Sequence, residues 1–222
     1  MIQIIAESIQ QQDDDTLMKC LVDLAENAHK FLRPQIEPLL QMCVQAVANE
    51  ELLDSWRQLA LEVVVTLSET APASVRKAGG ALIPILITTA LKMMADLDED
   101  EEWSISDDLT EEDNDSNSVV AEAALDRLAC GIGGKTVLPH IIQSLPTMLG
   151  NPDWKYRHAA LMAISAVGEG CHKVRTAIIF LFSFFNLVVL NKDKHDSLIK
   201  TLCNLFVFRK WNQCYRKLWM EH

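Results

Sequence analysis

The densest chemistry in this sequence lies between Asp96 and Asn117, where twelve carboxylates stand in 22 residues with no Lys or Arg among them. Carboxylates at that density repel one another, resist burial in a core and draw in basic ligands. Asp96, Asp98, Glu99, Asp100, Glu101, Glu102, Asp107, Asp108, Glu111, Glu112, Asp113 and Asp115, with Trp103 in their midst, are therefore candidate partner-binding residues. A solvated insert that only aids solubility is the plain alternative. Trp103 and Ile105 argue against it, because an apolar pair inside a charge run suits a docking anchor. Asp96, Asp98 and Asp100 alternate as at the start of a calcium loop, but the glycine required at the turn is absent. Ser104 and Thr110 each precede an acid by three residues (Asp107, Asp113), a pattern that an acid-directed kinase could use.

Other candidates point to structure more than to chemistry. Asp153, Trp154, Tyr156 and Arg157 form the turn into a helix. They could make a peptide surface, or an inter-repeat ladder in which Asp153 caps the helix and Arg157 pairs with a neighbouring repeat. Trp56-Arg57 stands in the same register as Tyr156-Arg157, and recurrence within one chain favours the structural role. Gly131-Ile132-Gly133-Gly134-Lys135-Thr136 lacks phosphate-loop spacing and a preceding strand, so it reads as a helix-to-helix turn. His29, His140, His158 and His172 have no paired nucleophile, and His195, Cys203, Cys214 and His222 lack the tight pairs of a zinc site. No catalytic constellation, metal site or cofactor site emerges, so an enzyme is not expected. Residues 177–190 form an apolar run of fourteen, shorter than the ~20 needed to span a bilayer. Lys173, Arg175, Lys192 and Lys194 flank this run, so a membrane-surface reading stays open beside that of a covering helix.

The elements that must hold these groups are helices. Gly and Pro are few among the 222 residues, 49% are hydrophobic, and Ala, Leu, Val, Ile and Met dominate. The net charge of −11 comes from the acidic segment, since the remaining residues carry nineteen acids against twenty bases. No basic face for phosphates is evident, which argues against nucleic-acid binding. The N-terminus shows no signal peptide. Cys20, Cys43, Cys130 and Cys171 lie in apolar helical stretches and read as reduced and buried, as in a cytosolic or nuclear protein.

Four segments repeat: residues 17–26, 60–69, 124–131 and 160–169. Met18, Leu61, Leu125 and Leu161 are equivalent in this register, with offsets of 43, 64 and 36. Without an acidic insert of roughly twenty residues the middle interval also falls near 43, inside the ~40–47 of HEAT and armadillo arrays. Each segment reads as a first helix, with Leu17, Leu21 and Leu24 the expected apolar stripe of the first, Leu61, Val64 and Leu67 of the second, and Leu161, Ile164 and Val167 of the fourth. Second helices are expected from Pro34 or Pro38 through Val47, from about Val75 to Ala95, and from about Val137 to Leu149, with kinks at Pro84 and Pro146. The predicted fold is an all-α HEAT-repeat α-solenoid of about four helical pairs over 1–172, with the acidic insert at 96–117 and a divergent tail at 173–222. Stacked pairs would curve into a concave surface lined by the second helices. Met1–Ile5 reads as the end of a helix cut from a longer array.

The string Asn151–Ala163 (NPDWKYRHAALMA) resembles the first helix of a central HEAT repeat in importin-β-type (karyopherin-β) nuclear transport receptors. Ala121–Ala129 followed by Gly133–Pro139 is similar to the subgroup of importin five and Ran-binding protein six, and the acidic insert with Trp103 stands where that family has an acidic loop. The resemblance covers about Met1–His172. It implies a carrier that binds basic nuclear-localisation cargo on its concave face, Ran GTPase, and nucleoporin Phe-Gly repeats, and that moves between cytoplasm and nucleus through the pore. For residues 96–115 it implies a part in cargo binding or in coupling Ran to cargo release. The tail lies outside the resemblance, so a nuclear transport receptor or a truncated form of one is expected. A general HEAT interaction scaffold without transport activity is the alternative.

Overall fold

The computed structural model describes residues 2–97 and 116–170. Ten α-helices occur among them: α1 (Ile2–Gln11), α2 (Thr16–Asn27), α3 (His29–Leu32), α4 (Ile36–Ala48), α5 (Asp54–Thr70), α6 (Pro72–Ala78), α7 (Leu82–Met93), α8 (Asn117–Gly131), α9 (Gly134–Leu149) and α10 (Trp154–Gly170). A 3-10 turn, Arg33–Gln35, joins α3 to α4. The helices stack in two layers. In the first, α2 packs on α5, α5 on α8, and α8 on α10; in the second, α1 packs on α4, α4 on α7, and α7 on α9. This is a HEAT-repeat solenoid, built from antiparallel pairs that each bury an apolar face against the next.

The register of the repeats is visible in the core. Met18, Leu61 and Leu125 are sealed from solvent, whereas Leu161 is half-buried and α10 packs instead through Ala159, Ala160, Ala163, Ile164 and Val167. On α2 the buried stripe is Met18, Leu21 and Ala25; Leu17 is exposed and Leu24 half-buried, which corrects the expected stripe by one position. α5 meets α2, α4, α6 and α8, so it buries residues around most of its circumference, including Val63, Val64 and Val65 in succession. A helix enclosed on several sides no longer shows a clean amphipathic period.

Two second-layer helices differ from expectation. The span 75–95 is two helices, because Gly79 and Gly80 interrupt it; a Cβ at Gly79 would lie 2.7 Å from the Val75 carbonyl oxygen. Pro84 consequently stands in the first turn of α7, where its missing N–H has no intrahelical partner to lose, and it does not kink a long helix. α9 starts at Gly134, ahead of Val137, and continues as one helix through both Pro139 and Pro146. Of the cysteines expected to be buried, Cys43 is, whereas Cys20 and Cys130 are exposed because each falls on the outer side of its helix; Cys171 lies outside the described residues.

The connections sort onto two edges. Turns between repeats (residues 12–15, 49–53 and 150–153, with Asp96 and Ser116 at the ends of the acidic insert) share one edge, where Leu53 N–H donates to Gln12 Oε1 at 2.7 Å. Turns within repeats share the other, where Thr70 Oγ1 donates to the Ala25 carbonyl at 2.9 Å and Arg76 Nη1 to the Ile132 carbonyl at 3.3 Å.

Candidate functional site: the stem of the acidic segment

The acidic segment leaves the array after α7 and returns at α8, and its two ends are fastened together. Asn117, the first residue of α8, is buried. Its Nδ2 donates to Asp96 Oδ2 at 2.8 Å, and its Oδ1 accepts from Gln58 Nε2 of α5 at 2.9 Å. Ser116 has extended backbone and caps α8 by accepting the Val119 N–H at 3.3 Å. Ser118 Oγ donates to the Met94 carbonyl at 3.3 Å. Buried polar groups of this kind are held because an unpaired amide away from water costs about 1–3 kcal/mol. The stem therefore holds Asp96 and Asn117 together on the inter-repeat edge, beside the start of α5. Asn117 was named in the sequence only as the end of the acidic run; the amide needed to pair a carboxylate with a neighbouring glutamine is the signal that could have marked it.

Of the predicted partner-binding residues, the structure describes Asp96, which is exposed and bonded to Asn117. Asp98, Glu99, Asp100, Glu101, Glu102, Trp103, Asp107, Asp108, Glu111, Glu112, Asp113 and Asp115 lie outside the described residues, as do Ser104, Ile105, Thr110 and the apolar run 177–190. Among the described residues no group of three or more His, Cys, Asp or Glu side chains could hold a metal ion, and no helix is long and apolar enough to cross a membrane.

The turn before α10 is built from hydrogen bonds. Asp153 Oδ1 accepts the Lys155 N–H at 2.9 Å, and Asn151 Oδ1 accepts the Asp153 N–H at 2.9 Å. Arg157 Nη1 donates to the Asn151 and Pro152 carbonyls at 2.8 and 2.7 Å, and Trp154 stacks edge-on with His158 at 6.2 Å. Tyr156 is half-buried. The equivalent Arg57 is buried and donates from Nε to the Val47 carbonyl at 3.2 Å and from Nη1 to Asp54 at 3.1 Å. Each arginine ties the first turn of its helix to the connection or helix end before it.

Arg127 of α8 makes a contact that sequence spacing does not reveal. Its Nη1 sits 2.7 Å from Glu62 Oε2, and its Nη2 sits 2.7 Å from Glu69 Oε2, both carboxylates belonging to α5. The Glu69 hydrogen bond, with Glu62 behind it, holds the guanidinium charged even beyond its ordinary range. Nearby, Gly131 brings α8 against α5 so closely that a Cβ there would lie 2.6 Å from the Ser68 carbonyl oxygen.

Comparison with known proteins shows what this chain is similar to. The model described as "Importin repeat" matches residues 49–139, and that described as "IPO5-like, TPR repeats" matches residues 1–42. The chain is 29% identical to importin subunit beta-3 of Saccharomyces cerevisiae over 86% of its own length and 18% of that protein's. It is 25% identical to the probable importin-5 homolog of Dictyostelium discoideum over 87% of its length and 18% of that protein's. Among solved structures it resembles Kap121p bound to Nup53p and Kap121p bound to Pho4p, each with a TM-score of 0.74 and 26% identity over 86% of this chain and 19% of the other. The chain thus spans under a fifth of the length of the relatives it matches. In its repeat register, its two-layer stack and these matches together, the chain is similar to part of the importin-β (karyopherin-β) type of protein.

Proposed function

We propose that this chain works as part of a nuclear import receptor, taking basic nuclear-localisation segments of cargo proteins by charge, with the acidic segment 96–115 as the attracting element. One observation supports the reading: Asn117 fastens Asp96 to Gln58, so the described ends of the most acidic stretch of the sequence are held together on the inter-repeat edge. The other inter-repeat turns extend that charge, with Asp13, Asp14, Glu50, Glu51 and Asp153 all exposed and no base among them. A cation-rich peptide running along successive turns would meet carboxylates at each repeat. Trp103 is the apolar anchor of this site, and Asp153, Trp154, Tyr156 and Arg157 are structural, shaping the turn.

Kap121p has been solved with Nup53p, with Pho4p and with the SUMO protease Ulp1p. By similarity, cargo proteins and nucleoporin Phe-Gly repeats are the partner classes assigned to this chain, together with Ran GTPase. The reading includes movement between cytoplasm and nucleus through the pore, binding in place of catalysis, and an organisation of array (1–172) and separate tail (173–222).

The test is a titration of the full chain with a fluorescent Lys/Arg-rich localisation peptide at low and high salt, beside a variant whose acids in 96–115 are changed to Asn and Gln. Binding that weakens with salt and disappears in the variant is the expected result. Equal binding by both chains would overturn the role given to the acidic segment, and binding by neither would overturn the cargo reading for this chain.

A further inference from the structure

The second repeat closes its within-repeat edge with a short helix that the fold holds by few contacts. α6 (Pro72–Ala78) stands between two breaks. At its start Pro72 has no N–H, so the hydrogen-bond ladder of α5 cannot run on through it. At its end Gly79 and Gly80 separate it from α7. Val75 is the one buried residue of α6, while Ala73, Arg76 and Lys77 are exposed. The other within-repeat connections are built differently. α3 runs through Arg33–Gln35 into α4 with no glycine between them, and Leu32 and Ile36 are both buried; Gly133 leads straight into α9.

The core under α6 is also incompletely filled. An apolar cavity of about 10 Å³ lies against Val75 and Gly79, with Leu40, Val44, Val64 and Leu128 among its other walls. That volume is at the lower limit for a single water. Side chains that face such a void lose dispersion contacts on that side, so Val75 holds α6 down less firmly than its burial suggests. The longest reach out of α6 is that of Arg76, whose Nη1 donates at 3.3 Å to the carbonyl of Ile132, a residue that also lines the cavity.

We infer that α6 is a strap that opens and closes as a unit, hinged at Ala71 and at Gly79-Gly80 and latched by Arg76 on Ile132, while α5 and α7 stay folded. Opening withdraws one branched side chain from the core and breaks the Arg76 hydrogen bond. In return it frees the backbone of residues 71–80, two of them glycines, which gain the most conformational freedom. An element with so few buried contacts belongs at the low-stability end of its fold. The open state uncovers Leu40, Val44 and Leu128 at the within-repeat edge, an apolar groove that the closed strap covers.

Hydrogen exchange on the full chain, read residue by residue by NMR at several sub-denaturing urea concentrations, tests the strap. The Val75 and Gly79 amides donate to the Ala71 and Val75 carbonyls in the closed state. They are expected to exchange at least about 100-fold faster than the amides of residues 63–67 in α5 and 87–91 in α7, and with little dependence on urea, since opening α6 exposes little surface. Arg76→Gln removes the latch and is expected to speed exchange in α6 by about 2- to 10-fold, with α5 and α7 unchanged. Gly80→Ala stiffens the hinge at a position where nothing lies within 4 Å of a new Cβ, and is expected to slow exchange in α6 by about 2- to 5-fold. Exchange of α6 at the rate and urea slope of its neighbours, a shift of all three helices together in Arg76→Gln, or exchange in α6 indifferent to both substitutions each overturns the proposal.

Discussion

Replacing Gly131 by alanine tests the packing of the first layer at its tightest point. The new Cβ would lie 2.6 Å from the Ser68 carbonyl oxygen and 2.8 Å from its carbon, below the 3.0 Å that real Cβ contacts respect. Both atoms are backbone of α5, which is enclosed by four other helices, so no flexible side chain can yield. α8 would have to back away by about half an ångström, loosening Leu125 and Leu128 against α5; strain of this kind costs about 1–3 kcal/mol. Alanine would recover part of this through helix propensity, up to about 1 kcal/mol in a helix interior and less at the last helical residue. The net expectation is a loss of about 1–2 kcal/mol. With a urea slope of about 2 kcal/mol/M, the unfolding midpoint would fall by about 0.5–1 M at an unchanged slope. Gly80→Ala is the matched control, because nothing lies within 4 Å of a Cβ there and its φ is not positive. It is expected to leave the midpoint unchanged or raise stability by about 0.4–1 kcal/mol. A Gly131→Ala chain with a midpoint equal to or above that of the parent would refute the reasoning.

Three further outcomes follow from the same geometry. Asn117→Asp sets a carboxylate against Asp96 and removes the donor between them, so the thermal midpoint should drop at neutral pH by the equivalent of about 2–3 kcal/mol. The like charge raises the folded-state pKa of the pair, so the deficit should shrink as pH falls into the carboxylate range, read by circular dichroism melts at the two pH values. Arg127→Lys replaces a fork that reaches both Glu62 and Glu69 with a single ammonium; chemical denaturation should show a loss of about 0.5–1 kcal/mol that narrows in high salt. Burial pushes the Cys43 thiol up to about 12, while Cys20 and Cys130 are exposed. Native alkylation followed by peptide mass mapping should therefore label Cys20 and Cys130 well before Cys43. Because the Cys43 thiol ionises from about pH 9 in the unfolded chain but only near 12 when folded, its contribution to stability should be lost as pH rises through that interval.

The helical pairs were legible because a solenoid repeats its solution. The register through Met18, Leu61 and Leu125 is written by sealed core positions that recur every repeat, and it holds even where a neighbouring stripe was read one residue off. What periodicity conveys poorly is how many neighbours a helix has. Leu17 looks apolar enough to be inside, yet Met18 is the residue that α5 covers; Cys20 and Cys130 lie in apolar surroundings along the chain but on the outward side in space. The break at Gly79-Gly80 was likewise readable as a pair of poor helix formers, but Pro84 drew attention to itself because its position relative to the helix start was unknown. Once α7 begins at Leu82, the proline is harmless.

The candidate site divides along the same line. Its composition is local, so the carboxylate run from Asp96 stands out in one dimension. Its anchorage is not, since Gln58 and Asn117 are separated by 59 positions and meet only because α5 and α8 are neighbours in the stack. The same holds for Arg127 with Glu62 and Glu69, because stacking α8 on α5 brings side chains some sixty positions apart in sequence onto facing sides of neighbouring helices.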